Sequence, residues 1–173
     1  MTQEDIIINQ EKKAFFEKYP EVKRSENIKS LDLLLKKEFA EAIIKGEKTV
    51  EFRDYSKHYQ DRLYDKALLE YGEKNIPVED MDDFVDFARP LRKVESIHFH
   101  NYNNSWSLDV EVIDNWTIAV NKDEVKNLQM DYECHELDAL LEDLEKQKAK
   151  DRPIFFYFAL GKVLFVSGDL QGK

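Results

Sequence analysis

Apolar positions along the chain change their period several times, and each change marks an element. Residues 3–18 read as a helix closed by Tyr19-Pro20, with Ile6, Ile7, Phe15 and Phe16 as apolar contacts spaced for one loose stripe. Residues 31–35, Leu-Asp-Leu-Leu-Leu, form a short, mostly apolar run that predicts a buried strand. The period then lengthens. Phe39, Ala42, Ile43 and Ile44 recur at helical spacing across residues 36–45, and Gly46 stands where a left-handed C-terminal cap belongs. Residues 49–53 alternate instead, which predicts a half-buried strand with Thr49, Glu51 and Arg53 on one face and Val50 and Phe52 on the other.

Helical spacing returns over residues 56–88, where Tyr59, Leu63, Ala67 and Leu68 make one stripe and Met81, Phe84, Val85 and Ala88 another. Two strands follow, at 94–100 and 107–112, and the polar cluster 101–105 between them predicts a hairpin. Residues 116–120 read as a further short strand. Residues 122–128 and 133–148 read as helices, the second with Leu137, Leu140, Leu141 and Leu144 on one face. Two apolar runs, 154–160 and 163–166, close the pattern, with Gly161-Lys162 between them as a tight hairpin link. Short strands with helices between them, and no repeated β-α-β rhythm, predict an α+β fold: a small mixed β-barrel with flanking helices. Residues 1–26 read as an N-terminal helical extension, and 27–170 as one domain carrying a helical insert at about 56–90.

Composition narrows the class. The 173 residues are 42% hydrophobic and 12% aromatic, enough for one well-filled core and too apolar for general disorder. No apolar run approaches the roughly 18 residues of a membrane span, and no basic start followed by an apolar stretch suggests secretion. A cytoplasmic protein without a membrane partner is expected. Cys134 stands alone, which excludes an internal disulfide and a cysteine-based zinc cluster. The net charge of −10 and the absence of a Lys/Arg stripe argue against long-duplex DNA as a partner. The charge is uneven, however. Residues 23–66 carry 11 cationic and 9 anionic side chains, the one net-positive block, so an anionic ligand is expected there.

That block contains Gly46-x-Lys48-x-x-Glu51-x-Arg53. A helix ending on Gly46 delivers Lys48 to the start of a strand, and alternation projects Glu51 and Arg53 together from one face. Such a trio is either a self-satisfied ion network or a recognition site offering both donors and acceptors. The segment resembles the ASCH family (activating signal cointegrator homology domains), whose hallmark is this motif between the first main helix and the next strand. The resemblance covers about residues 29–55, and residues 155–166 look similar to the family's last strands. It implies a PUA-like β-barrel with a cleft lined by Lys48, Glu51 and Arg53. It also implies RNA, a nucleotide or a modified nucleoside as the partner. An arginine can fork to a phosphate or a base carbonyl, and a carboxylate accepts from an exocyclic amine. Tyr55 continues the Glu51–Arg53 face and is the expected stacking residue.

A second implication of the resemblance is amidohydrolase chemistry on 4-acetylated cytidine or a similar small amide, with Lys48 and Glu51 as catalytic residues. Family members of that kind use a lysine, a threonine three positions later and a glutamate further along the chain. Here Glu51 occupies the threonine position, and the later glutamate has no countable register. A third class is a protein-interaction module with a vestigial cleft, presenting the acidic helices at 79–88 and 133–148 to a partner. No cofactor and no metal are expected. His98 and His100 share a strand face, but the pattern around buried Ile97 and Phe99 reads as two surface histidines. Tyr102 and Trp106 flank the Asn-rich turn and Tyr59 follows the motif, and these aromatics read as core edges or stacking surfaces.

Overall fold

The computed structural model describes residues 1–170. Its strands are β1 (Leu31–Leu34), β2 (Val50–Asp54), β3 (Ser96–His100), β4 (Trp106–Ala119) and β5 (Ile154–Gly168). Its helices are α1 (Gln3–Lys18), α2 (Lys37–Ile44), α3 (Lys57–Leu63), α4 (Lys66–Asn75), the single turn α5 (Met81–Asp83), α6 (Lys122–Tyr132) and α7 (Asp138–Lys146). The α+β class is as the sequence predicts. The chain forms two compact units: residues 1–27 with 60–93, and residues 28–59 with the segment from Val94 onward.

The second unit is built on a five-stranded sheet in the order β1-β3-β4-β5-β2. β1 and β3 run parallel, and every other neighbouring pair is antiparallel. Its spine is the pairing of β4 with β5, which runs from Trp106 opposite Gly168 to Ala119 opposite Ile154. This overturns the expected C-terminal hairpin. The apolar runs 154–160 and 163–166 do not fold on each other, because β4 lies beside both and satisfies their backbone along one continuous strand. Gly161 has no positive φ, and a Cβ there would stand 2.6 Å from Glu111 Oε1. It lies inside a continuous strand under the side chains of Glu111 and Ile113, not at a turn.

The separate strand expected at 116–120 is likewise the far half of β4. Its register shifts between Asp109 and Asp114 break the alternation that buries Trp106, Leu108, Val110 and Val112. Such irregularities bend a strand and re-aim its side chains. Asn115 is thereby turned inward, where its Oδ1 accepts from Val94 N at 2.9 Å. β1 is half-buried and not enclosed: Leu31 and Leu33 point in, while Asp32 and Leu34 face out.

One face of the sheet is covered by α6 and α7. Val50 and Ile118 meet Val125 and Leu128 of α6 there, together with Cys134, Leu137 and the inner leucines of α7. The sheet itself is strongly curved. Flat strands spaced about 4.8 Å apart would hold the first and fifth roughly 19 Å apart. Instead Arg53 Nη2 on β2 donates to the Leu34 carbonyl on β1 at 2.7 Å, so the two edge strands approach within one side chain's reach.

The first unit is helical. Thr2 and Asp5 form a capping box at the start of α1, and Phe15 enters a core of Val22, Ile76, Phe84 and Ala88. Ile6 and Ile7 do not join it; both are exposed, because only the last turns of α1 are covered. The expected stripe from Met81 to Ala88 is not a regular helix. A 3-10 turn at Val78–Asp80 passes through α5 into a π-helical turn at Phe84–Ala88, which buries Phe84 and Ala88 and leaves Val85 outside. Asp65 caps α4 through Leu68 N and separates it from α3, so the stripe expected from Tyr59 to Leu68 is split between two helices. No helix among the described residues is long and apolar enough to cross a membrane.

Candidate functional site

The motif residues are positioned by three local devices. First, α2 ends with Gly46 at φ +78°, and the backbone N–H groups of Glu47 and Lys48 both donate to the Ala42 carbonyl. The turn therefore folds back on the helix and aims Lys48 at the start of β2. Second, Val50 is fully buried in the α6/α7 core, which fixes the phase of β2. Third, pairing with β5 sets Glu51 opposite Phe158 and Arg53 opposite Phe156. Both phenylalanines are buried, and burying such a ring stabilises by about 1.5–3 kcal/mol, so the charged groups stand on a firm apolar floor.

On that floor Glu51 joins the two cations. Its Oε2 lies 3.0 Å from Arg53 Nη2 and its Oε1 3.5 Å from Lys48 Nζ. Oε1 also accepts from Phe52 N at 3.1 Å. Arg53 spends Nη1 on the Tyr59 hydroxyl at 3.0 Å. Burial works to lower the Arg53 pKa, but the Glu51 charge and the Tyr59 and Glu51 hydrogen bonds outweigh it and hold the guanidinium above its ordinary value. Lys48 Nζ makes its shortest contact with Glu136 Oε1, at 2.7 Å, and lies 5.6 Å from the Phe39 ring.

Burial separates these partners. The side chains of Lys48 and Glu51 are each 8% exposed and that of Arg53 17%, whereas Glu136 is 43% exposed. Two cations and two carboxylates make the cluster neutral, and the one carboxylate within easy reach of solvent is Glu136. Glu136 is not marked by the motif or its spacing. Its only signal is charge balance, since Lys48 and Arg53 outnumber Glu51. Nothing along the chain marks which of the many distant carboxylates closes the account.

The other aromatic and polar candidates separate. Tyr55 lies just past β2 with its ring 4.9 Å from Phe156, partly exposed on the Glu51–Arg53 side. Thr49 leaves the expected face, because its hydroxyl donates to the Tyr132 carbonyl at the end of α6. Trp106 is buried, so it offers no stacking surface, whereas Tyr102 is almost wholly exposed. His98 pairs with Asp109 at 2.5 Å, and His100 lies 3.7 Å from Asp32, above buried Ile97 and Phe99. Among the described residues no group of three or more His, Cys, Asp or Glu is arranged to hold a metal ion. A cavity of about 160 Å³ between β4 and α6 is lined by Thr117, Asn127, Asp131, Tyr132 and Tyr157 among others, and by none of the motif residues.

Neither a family model nor a curated protein matches the chain. Among solved structures, the crystal structure of a point mutant of ZmASCH from Zymomonas mobilis matches with 16% sequence identity. The match spans 83% of this chain and 77% of that one, with a TM-score of 0.39.

Proposed function

We propose that the chain is an ASCH-type protein of PUA-like build that binds RNA, a nucleotide or a modified nucleoside beside Lys48, Glu51, Arg53 and Tyr55. The observation that carries this reading is the asymmetry of the ion cluster. Lys48 and Arg53 are held by buried Glu51, but the nearest counter-charge of Lys48 is a solvent-reachable carboxylate, Glu136. An anionic group can take the place of Glu136 on Lys48 without uncovering a buried charge, since Glu136 swings into water. Exchange of one anion for another keeps the cluster neutral, which is the condition for leaving no buried charge uncompensated. Arg53, held by Glu51, Tyr59 and the Leu34 carbonyl, would then offer its remaining N–H groups, and the half-exposed Tyr55 ring a stacking face.

Calorimetric titration with cytidine monophosphate, cytidine and a short single-stranded RNA tests the exchange. Glu136→Gln removes the competing anion, so the phosphate-bearing ligands bind more tightly to it than to wild type, while cytidine is little changed. Arg53→Lys keeps the charge but loses the planar fork, and weakens binding by roughly tenfold or more. Absence of binding by all three ligands at millimolar concentration removes the proposal.

One observation favours a second reading, deacylation of an acylated cytidine. The resemblance implies a glutamate from further along the chain, and the Glu136 carboxylate 2.7 Å from Lys48 Nζ supports assigning that part to it. Glu51 in the threonine position counts against it, because an attacking amine must be unprotonated and Lys48 is engaged by two carboxylates. Turnover of 4-acetylated cytidine that is lost in Lys48→Ala supports this chemistry, and a folded wild type without turnover retires it.

A further inference from the structure

The Leu34 carbonyl that Arg53 holds also begins a second concavity. Leu34, Leu35, Lys36 and Tyr102 line a pocket of about 240 Å³, smaller than the 300–1,000 Å³ typical of sites for drug-sized ligands, with room for a single ring system. We propose that this pocket is a stacking subsite for the neighbouring base of a single-stranded RNA, with Tyr102 as its platform and Lys36 beside the connecting phosphate. The inference rests on the nucleotide reading of the motif site.

Tyr102 is 94% exposed and Leu34 52%, so the pocket offers an aromatic ring and an aliphatic floor to solvent on adjoining elements. An exposed aromatic on a floppy loop would lose entropy on binding, but this loop is set in advance. Asn101 Nδ2 donates to Asn103 Oδ1 and to Ser105 Oγ, Asn103 Oδ1 also accepts from Ser105 N, and Asn101 Oδ1 accepts from Trp106 N. Asn104 takes the left-handed φ of +58° that the turn requires and that asparagine tolerates. Leu35 N donates to the His100 carbonyl, tying the strap after β1 to the end of β3 just before the turn. A ring preset in this way binds at low conformational cost.

Charge and continuity identify the occupant. Lys36 is exposed and makes no ion pair among the described residues, so its charge is available to a phosphate. Leu34 belongs to both places: its side chain lines the pocket, and its carbonyl receives Arg53 Nη2 at 2.7 Å. A chain with its first base or phosphate at Arg53 therefore has its next base within the pocket's reach. Stacking accepts every base, so little sequence preference is expected.

The test titrates uridine monophosphate and the dinucleotide UpU into wild type, Tyr102→Ala, Tyr102→Phe and Arg53→Lys. Uridine monophosphate binding depends on Arg53 and not on Tyr102. UpU binds more tightly than the mononucleotide, and Tyr102→Ala loses about 5- to 100-fold of UpU affinity while Tyr102→Phe retains it. Lys36→Ala lowers the salt dependence of UpU binding by roughly one ion. If the mononucleotide binds through Arg53 but UpU gains nothing, or Tyr102→Ala binds UpU like wild type, the subsite is wrong and the motif reading stands. If neither ligand binds, both fall together. The exposed positions of Tyr102 and Lys36 keep their variants folded, and melting curves verify it for every variant, Arg53→Lys included.

Discussion

Each of the two units contains a carboxylate that receives a lysine and a second donor, and the two sites differ in what surrounds them. In the helical unit Asp80 accepts from Lys18 at 2.7 Å and from the Tyr19 hydroxyl. In the sheet unit Glu51 is paired with Lys48 and Arg53. Lys18 is 62% exposed, so its charge is solvated whether or not the pair forms. Lys48, Glu51 and Arg53 are nearly closed off from water, so each depends on the others for its charge balance. Exposed ion pairs contribute little to stability, whereas removing one partner of a buried set leaves a charge that nothing solvates. The first site is a surface clasp; the second is part of what the fold is built around.

The sharpest way to break that contrast is Glu51→Gln. It leaves two shielded cations facing one exposed carboxylate, and should destabilise by about 3–5 kcal/mol, read as a lower urea midpoint with an unchanged slope. A loss below about 1 kcal/mol would mean that water already reaches the cluster, and the two sites would then be alike.

Glycine offers the next comparison. A Cβ at Gly72 would fall 2.2 Å from the Phe84 ring in the helical unit's core, whereas one at Gly161 would meet first the end of the Glu111 side chain. Alanine is the better helix former by about 1 kcal/mol, but a packed aromatic ring cannot yield the missing ångström. Gly72→Ala should therefore cost about 1–3 kcal/mol. Gly161→Ala should change stability by roughly 0.5 kcal/mol or less, because Glu111 can turn aside. Equal losses would show that β4 and β5 are as tightly fitted as the aromatic core.

The legible part of this molecule is local. α1 was readable from its helical pattern and closing Tyr-Pro, and the turn at Gly46 from a glycine after a helical period. The face shared by Glu51 and Arg53 followed from alternation alone. Pairings across the chain were not readable. β5 looks like two strands because Gly161-Lys162 suits a turn, and only the presence of β4 along its whole length makes it one. Glu136 joins Lys48 from 88 residues away, a distance over which no periodicity operates. The Arg53–Leu34 contact depends on the curvature of the whole sheet, which bulges in β4 help to create. The fold alone supplied the second partner of Lys48.

The last and smallest signal concerns pH. Hydrogen bonds from Lys18 and Tyr19 hold the Asp80 carboxyl below its ordinary 3.8, despite the opposing effect of partial burial. A carboxylate with a lowered folded pKa contributes stability that is complete above its unfolded value and is lost as the pH falls through the folded one. The difference in stability between wild type and Asp80→Asn should therefore be constant near neutrality and shrink below about pH 3.8. Added salt should shrink it as well, because the lysine of the pair stands in solvent. Glu51 itself should show a smaller salt response, since it and the two cations it holds are more closed off from water than Lys18. Thermal melts of wild type, Asp80→Asn and Glu51→Gln in low and high salt separate the cases. A salt effect of equal size at both sites would erase the distinction between clasp and cluster.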